Sequence, residues 1–522
     1  MKLRSLKSVL SSSRFQCLFF LFLGLTIQFS KFFRSGFDLI TGDDGDNRLI
    51  ALLMENAFQQ LRHLESLLHL NMFYPAPNAI AYSDTFIGIA PIYVIFRALS
   101  FDIFLSFEFT TIVCSVLNYM VFAYVVRFFF NKASSLLVWS AAFIFAFNSA
   151  KNSHLYHFQL LPHFYVLGAF YGYYRFIAEP EKKRFLGLLL GSLVCQFYLG
   201  FYYFWFTGVS LMVVSAFLIA RDLLKKREQT KIVFKESLAF KSLGIFAASA
   251  LIMYPLLVRY LSAIREVGPR AISEVKVFLP RIHSWLLLPG WLPSAHILPW
   301  LHRNDGIPMA HEHWVSPGTF TVIFGVLVLL IKGPKLKPVT KALCVVALFW
   351  FVVATYFPSI DFTLWQYTVW YLPGGRGVRA VARLGIFLSF FWAFLFLEGC
   401  EWLSLAQDKR NWKFILMGIL APLVCLEQLT IFPIVFSRKT EAERIGKLAE
   451  SIPKQCKSIY YKFPPALAGY GQLDGIRAAY SRNLNAINGY SGSEPPGYNS
   501  VPDLQKWFST QGEVADSQDC VI

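Results

Sequence analysis

The stretch FIGIAPIYVIFRAL, residues 86–99, decides how this chain is threaded through a bilayer. It is apolar but only about 14 residues long, with Pro91 inside it. A helix needs roughly 20 apolar residues to cross the ~30 Å hydrocarbon core. Counted as a crossing, the stretch would place Lys182, Lys183 and Arg184, and the basic residues of 221–227, on the outer side. Counted as an interfacial or re-entrant helix at the outer face, it leaves every dense Lys/Arg cluster in a cytoplasmic loop, as the positive-inside bias requires. We adopt the second reading.

Working outward, apolar segments long enough for crossing helices lie at about 13–33, 107–130, 133–150, 158–178, 184–200, 203–220, 239–261, 317–331, 342–358, 380–403 and 413–436. These are eleven spans, with the N-terminus cytoplasmic and the C-terminus extracytoplasmic. The inside loops then hold Arg127 and Lys132, the 182–184 cluster, residues 221–241, residues 332–341, and Lys409, Arg410 and Lys413. The linker RDLLKKREQTK reads as a solvated cytoplasmic connection. Residues 34–106, 262–316, 359–379 and 437–522 face outward. Residues 1–436 are thus expected as a transmembrane domain and 437–522 as a small extracytoplasmic α/β unit. In that unit KSIYYKF and NLNAI are strand-like, and LDGIRAAYSR is helical.

Composition agrees with an α-helical polytopic membrane protein. The 522 residues are 55% hydrophobic and only 16% charged, against about 25% charged in soluble domains, and mean hydropathy is +0.47. Aromatic content of 17% excludes a disordered chain. The net charge of +17 does not indicate nucleic acid, because the basic residues cluster in short stretches between apolar segments; the partner is the lipid bilayer. Six cysteines lie in apolar segments as small core residues. Cys456 and Cys520 sit in the polar tail, where they can pair if it is outside the cytoplasm. The basic MKLRSLK start precedes an apolar run with no small-residue cleavage site, so it reads as a retained first helix.

Chemistry-bearing residues gather in the outer segments. TGDDGDNR, residues 41–48, places three carboxylates within four residues, right after the first span. Near a membrane surface, partial desolvation raises a carboxyl pKa and suits it to general-base work; such groups can also share a divalent cation with a phosphate, though transfer does not require one. The structural alternative is a solvated turn with Asp46 or Asn47 capping a helix from Arg48. FYPAPNAIAYSD, residues 73–84, is rigid and ends at Asp84, an N-cap or a second acidic group. SAKNSHLYHFQLLPHF, residues 149–164, carries His154 and His157 at i, i+3, placed to orient a sugar or phosphate or to satisfy backbone at the interface. HEH at 311–313 would present both histidines on one face only as a strand, which keeps a metal site open there. YLPGGRGVRAVARLGIF, residues 371–387, sets Arg376, Arg379 and Arg383 around a predicted helix start, with Arg379 and Arg383 at i, i+4. Glycine N–H groups plus guanidiniums on the outer side point to an anion such as phosphate.

In this order, GDDGDNR, FYPAPNAIAYSD, LPGGRGVRAVAR and NGYSGSEPPGY resemble the motifs of a family of bacterial polytopic membrane proteins that is itself similar to the GT-C class of glycosyltransferases. The resemblance runs along nearly the whole chain. It implies a bacterial inner-membrane transferase that moves a sugar from a polyprenyl-phosphate-linked donor to a glycan, lipid or protein acceptor at the extracytoplasmic face, with inversion by class analogy. Asp43 and Asp46 match the family's Gly-Asp-x-Gly-Asp pattern, and Asp46 is the candidate base. The resemblance implies Arg376 and Arg379 on the leaving phosphate; Arg48, Asp84, His154, His157 and Arg383 join them as candidate substrate contacts by their place in the outer segments. The chain departs from the family at GGRGV and at Leu49-Ile50. Two other readings use the same outer residues: a transporter or flippase of lipid-linked sugars, and a noncatalytic envelope protein that binds glycan. The middles of the spans hold few polar groups to line a path, which favours the transferase.

Overall fold

In hydrocarbon the backbone must satisfy its own hydrogen bonds, so long apolar segments form helices. The computed structural model describes residues 12–224, 236–303, 306–405, 412–464, 467–498 and 504–522. The MKLRSLK start, residues 225–231 of the basic linker, and Lys409 and Arg410 lie outside the described residues.

Each apolar segment contains a helix: Ser13–Gln28, Ile103–Phe129, Ser135–Ala146, Phe164–Ala178, Arg184–Leu199, Phe201–Leu224, Glu236–Val267, Thr319–Lys332, Pro338–Ala354, Ser389–Leu405 and Trp412–Leu426. Local chemistry sets several starts. Ser12 Oγ accepts the Phe15 N–H, Asp102 accepts those of Phe104 and Leu105, and Ser134 accepts that of Leu137. Among the described residues, Ile103–Phe129, Phe201–Arg221, Leu243–Val267 and Val381–Leu405 are long and apolar enough to cross a membrane. They occupy different depths of the bundle. The most apolar part of Val381–Leu405 is almost wholly buried and forms its centre, whereas that of Leu243–Val267 is almost wholly exposed and stands at its edge.

The stretch at 86–99 folds as a nine-residue helix, Ala90–Ala98, with Pro91 in its first turn. At 1.5 Å per residue it rises only about 14 Å, less than half of the hydrocarbon thickness. Ile95 and Leu99 are exposed along one edge, and Tyr93 is fully buried on the other. Glu55 holds that inner edge. It accepts the Tyr93 hydroxyl at 2.7 Å and pairs with Arg97 Nε at 2.7 Å.

Residues 34–106 and the tail build one layer jointly. Strand Leu39–Thr41 pairs antiparallel with Val435–Ser437, Leu39 opposite Ser437. The Phe73 N–H donates to Asn488 O and the Tyr74 N–H to Ala486 O, while Trp507 Nε1 donates to Tyr74 O. In the tail, Ser458–Tyr460 lies between Asn485–Ala486 and Asp519–Val521, parallel to both, beside the helix Ala468–Ser481. A Cys456–Cys520 disulfide ties this sheet. One apolar core contains Leu49, Phe73, Tyr93 and Phe107 together with Ile459, Leu473, Ile476 and Trp507, so residues on both sides of position 437 share it.

Candidate functional site

The acidic turn is held from below and from behind. Thr41 ends its strand with its hydroxyl on Glu108 Oε1 at 2.6 Å, and Glu108 comes from the Ile103–Phe129 helix. Gly42 follows at φ +124°, a conformation that L side chains rarely adopt, and a Cβ there would overlap the Asn47 side chain. Asn47 is fully buried, with Nδ2 on Thr41 O at 3.0 Å. The helix Asp46–His63 begins after Gly45. The side chain that caps it is neither that of Asp46 nor that of Asn47: Asp43 Oδ1 accepts the Asn47 N–H at 3.1 Å. That leaves the Asp46 carboxylate free for other work.

Asp46 Oδ2 lies 3.0 Å from His157 Nδ1. The opposite nitrogen, Nε2, is 3.2 Å from Glu312 Oε1 and 2.8 Å from Arg383 Nη2. Arg383 grips Glu312 with two bonds, Nε to Oε2 at 2.9 Å and Nη2 to Oε1 at 2.7 Å. Four segments distant in sequence therefore converge in one chain of polar contacts, Asp46–His157–Glu312–Arg383. The last three side chains are buried and Asp46 is 37% exposed, so the chain runs from the interior to an open carboxylate.

This arrangement separates the two aspartates chemically. Burial and the neighbouring Asp46 charge push the Asp43 carboxyl up to about 6. Burial pushes Asp46 in the same direction, but His157 and Arg383 outweigh it and hold Asp46 below the usual carboxylate range. His157 is pushed down by burial and by Arg383, yet Glu312 and Asp46 prevail and raise it above the ordinary histidine value. Two carboxyls in one turn with pKa values driven apart make an acid–base pair: one exchanges a proton near neutrality and the other stays ionised.

The remaining residues singled out in the sequence have other placements. Arg48 is fully buried, with Nε 2.8 Å from Glu441 Oε2, Nη2 on Asp474 and Nη1 on Asp44 O. Its guanidinium holds the tail against the acidic turn and turns no face to a ligand. Asp84 Oδ1 accepts the Phe201 N–H at 2.9 Å, capping a helix other than the one that follows it. His154 is buried with Nδ1 3.1 Å from Ala150 O, and its ring lies 6.1 Å from that of His157. Arg376 is exposed over Trp370 and Tyr371. Arg379 is half-buried over Phe278, with Nη1 3.7 Å from Glu274 Oε1. The expected i, i+4 pairing of Arg379 with Arg383 is absent, because short 3-10 turns at Gly375–Gly377 and Val381–Arg383 replace the α-helix there.

Glu312 was missed as itself. The HEH spacing points to its histidines, but Ala310–His313 is a 3-10 turn that spreads the three side chains. His313 bonds Ser284 Oγ, while Glu312 turns to Arg383. Among the described residues no three His, Cys, Asp or Glu side chains converge as metal ligands would. No family model and no curated protein sequence matches the chain.

Proposed function

We propose that this protein is a membrane glycosyltransferase of GT-C type. It takes a sugar from a polyprenyl-phosphate-linked donor and transfers it to an acceptor at the extracytoplasmic face. One observation carries the reading: a single histidine joins the acidic turn to the arginine segment, with Asp46 and Arg383 both in contact with His157. The carboxylate turn and the segment that carries the arginines thereby adjoin one side chain. In this reading an acceptor hydroxyl attacks the anomeric carbon. The carbon–phosphate-oxygen bond breaks, and the hydroxyl proton passes to a carboxylate of the turn. Asp43, raised to about 6, is the better-matched base at neutral pH, and Asp46 stays ionised beside it. Arg379, with one long ion-pair contact, and exposed Arg376 have donors free to meet the leaving phosphate, whose charge grows in the transition state.

The orientation belongs to the same proposal. A disulfide in the tail suits an oxidising compartment, which supports an extracytoplasmic C-terminus. Single cysteines at Ile95, Lys182 and Glu450, in a background lacking the six free cysteines, test it with a membrane-impermeant maleimide. Positions 95 and 450 are expected to react from outside and 182 only after permeabilisation. Labelling of 182 in intact cells would overturn the threading.

The transfer is tested by supplying membranes that contain the protein with radiolabelled polyprenyl-phosphate sugars. Label is expected to move from at least one donor to a membrane or envelope acceptor. Folded protein that moves no label from any donor, in its own membranes with endogenous acceptor present, would overturn the proposal.

A further inference from the structure

Two tyrosines of the tail sit against the acidic turn. Tyr470 lies in the first turn of the helix Ala468–Ser481, and Tyr490 follows the strand Asn485–Ala486. A Cβ built on Gly45 would lie 3.3 Å from both Tyr470 Cε1 and Tyr490 Oη, and 3.5 Å from Asp43 Oδ2. The nearby Asp44 charge pushes the Tyr470 hydroxyl pKa up. Glycine flanks these rings where a side chain would cover them. A side chain on Gly45 would crowd both rings and Asp43, and a Cβ on Gly469 would meet Tyr490 Cε2 at 3.2 Å. Tyr470 keeps 44% of its surface exposed although it adjoins the packed layer.

We propose that Tyr470 and Tyr490 form a platform for a carbohydrate ring at the acidic turn. The surroundings select that ligand class. A pyranose offers an apolar C–H face for an aromatic ring and a rim of hydroxyls for hydrogen bonding, and here two tyrosines, one of them 44% exposed, adjoin the turn that carries Asp43, Asp44 and Asp46. A lipid tail would instead have to lie against three carboxylates, which desolvation penalises. The inference rests on the transferase reading for its role in turnover, but not for binding. In turnover the platform holds either the donor's sugar or an acceptor glycan with a hydroxyl toward the turn. The NGYSGSEPPGY segment thereby takes part in the site through Tyr490, and Ser491 Oγ locks it to Tyr82 O at 2.7 Å.

Saturation-transfer NMR on the full chain in detergent tests this with methyl glucoside, methyl mannoside and N-acetylglucosamine. At least one glycoside is expected to bind. Tyr470→Ala is expected to weaken it roughly five- to tenfold, with Tyr470→Phe within about threefold of the parent and Tyr490→Ala weakened like Tyr470→Ala. Unfolding temperature and gel filtration check that the variants are folded, and exposed Tyr470 keeps the test informative if Tyr490→Ala does not fold. Binding by none of the three, or equal binding by the parent and Tyr470→Ala, would overturn the platform. Glycoside binding without transfer from any donor would leave the platform standing and remove the transferase reading. Where transfer occurs, a raised KM for donor alone assigns the platform to the donor sugar, and a raised KM for acceptor alone assigns it to the acceptor. Unchanged KM for both would overturn its role in turnover.

Discussion

Asp43→Asn is expected to lower turnover by about 10²–10⁴-fold while leaving donor binding in place, because it removes a positioned base without changing the shape of the turn. The pH profile makes the assignment specific. With the Asp43 carboxyl at about 6, the parent should lose activity as pH falls through that value, since protonation abolishes the base. Asp46→Asn should also lower turnover, and in addition shift the acidic limb downward, because the like charge that helps to raise Asp43 is gone. A limb that stays near 6 in Asp43→Asn would assign the base elsewhere. Stability runs the other way. The folded state holds the Asp43 proton more tightly than an unfolded chain with the ordinary 3.8, so this contribution is full below about 4 and is lost as pH rises through about 6.

The helical body was legible because hydropathy over about 20 residues needs no knowledge of neighbours. The shortness of the 86–99 stretch was legible for the same reason, and it folds as the nine-residue helix Ala90–Ala98. The proximity of Asp43 and Asp46 was equally local, three positions apart in a glycine-bounded turn. What escaped is set at long range. Glu312 lies 155 positions from His157, and nothing in HEH shows that a 3-10 turn aims the middle residue at Arg383 while His313 goes to Ser284. Arg379 and Arg383 fit helical spacing, but the glycines at 374, 375 and 377 lead into 3-10 turns, and the two arginines part to Glu274 and Glu312. Arg48 could not be told from a ligand-binding arginine, because Glu441 and Asp474 are supplied by the tail.

That last distinction yields the second large effect. Arg48→Met is expected to destabilise the layer shared by residues 34–106 and the tail by about 3–5 kcal/mol, the cost typical of removing one partner from a buried ion pair. The loss falls on a network and not on one bond. Glu441 also meets Arg477 at 3.1 Å and Arg444, and Asp474 meets Arg444 at 2.9 Å, so the remaining cations hold the result toward the lower end. Arg48 Nη1 also donates to Asp44 O, within the acidic turn, so turnover should fall together with the unfolding temperature. Asp474→Asn on top of Arg48→Met should cost less than the sum of the two single changes, because they remove the same pair. A different result marks a ligand-binding arginine: unchanged unfolding temperature with weakened donor affinity. The parent's full burial of the guanidinium argues for the first outcome, since a group with no exposed surface can reach a lipid phosphate only by releasing the two carboxylates it already holds.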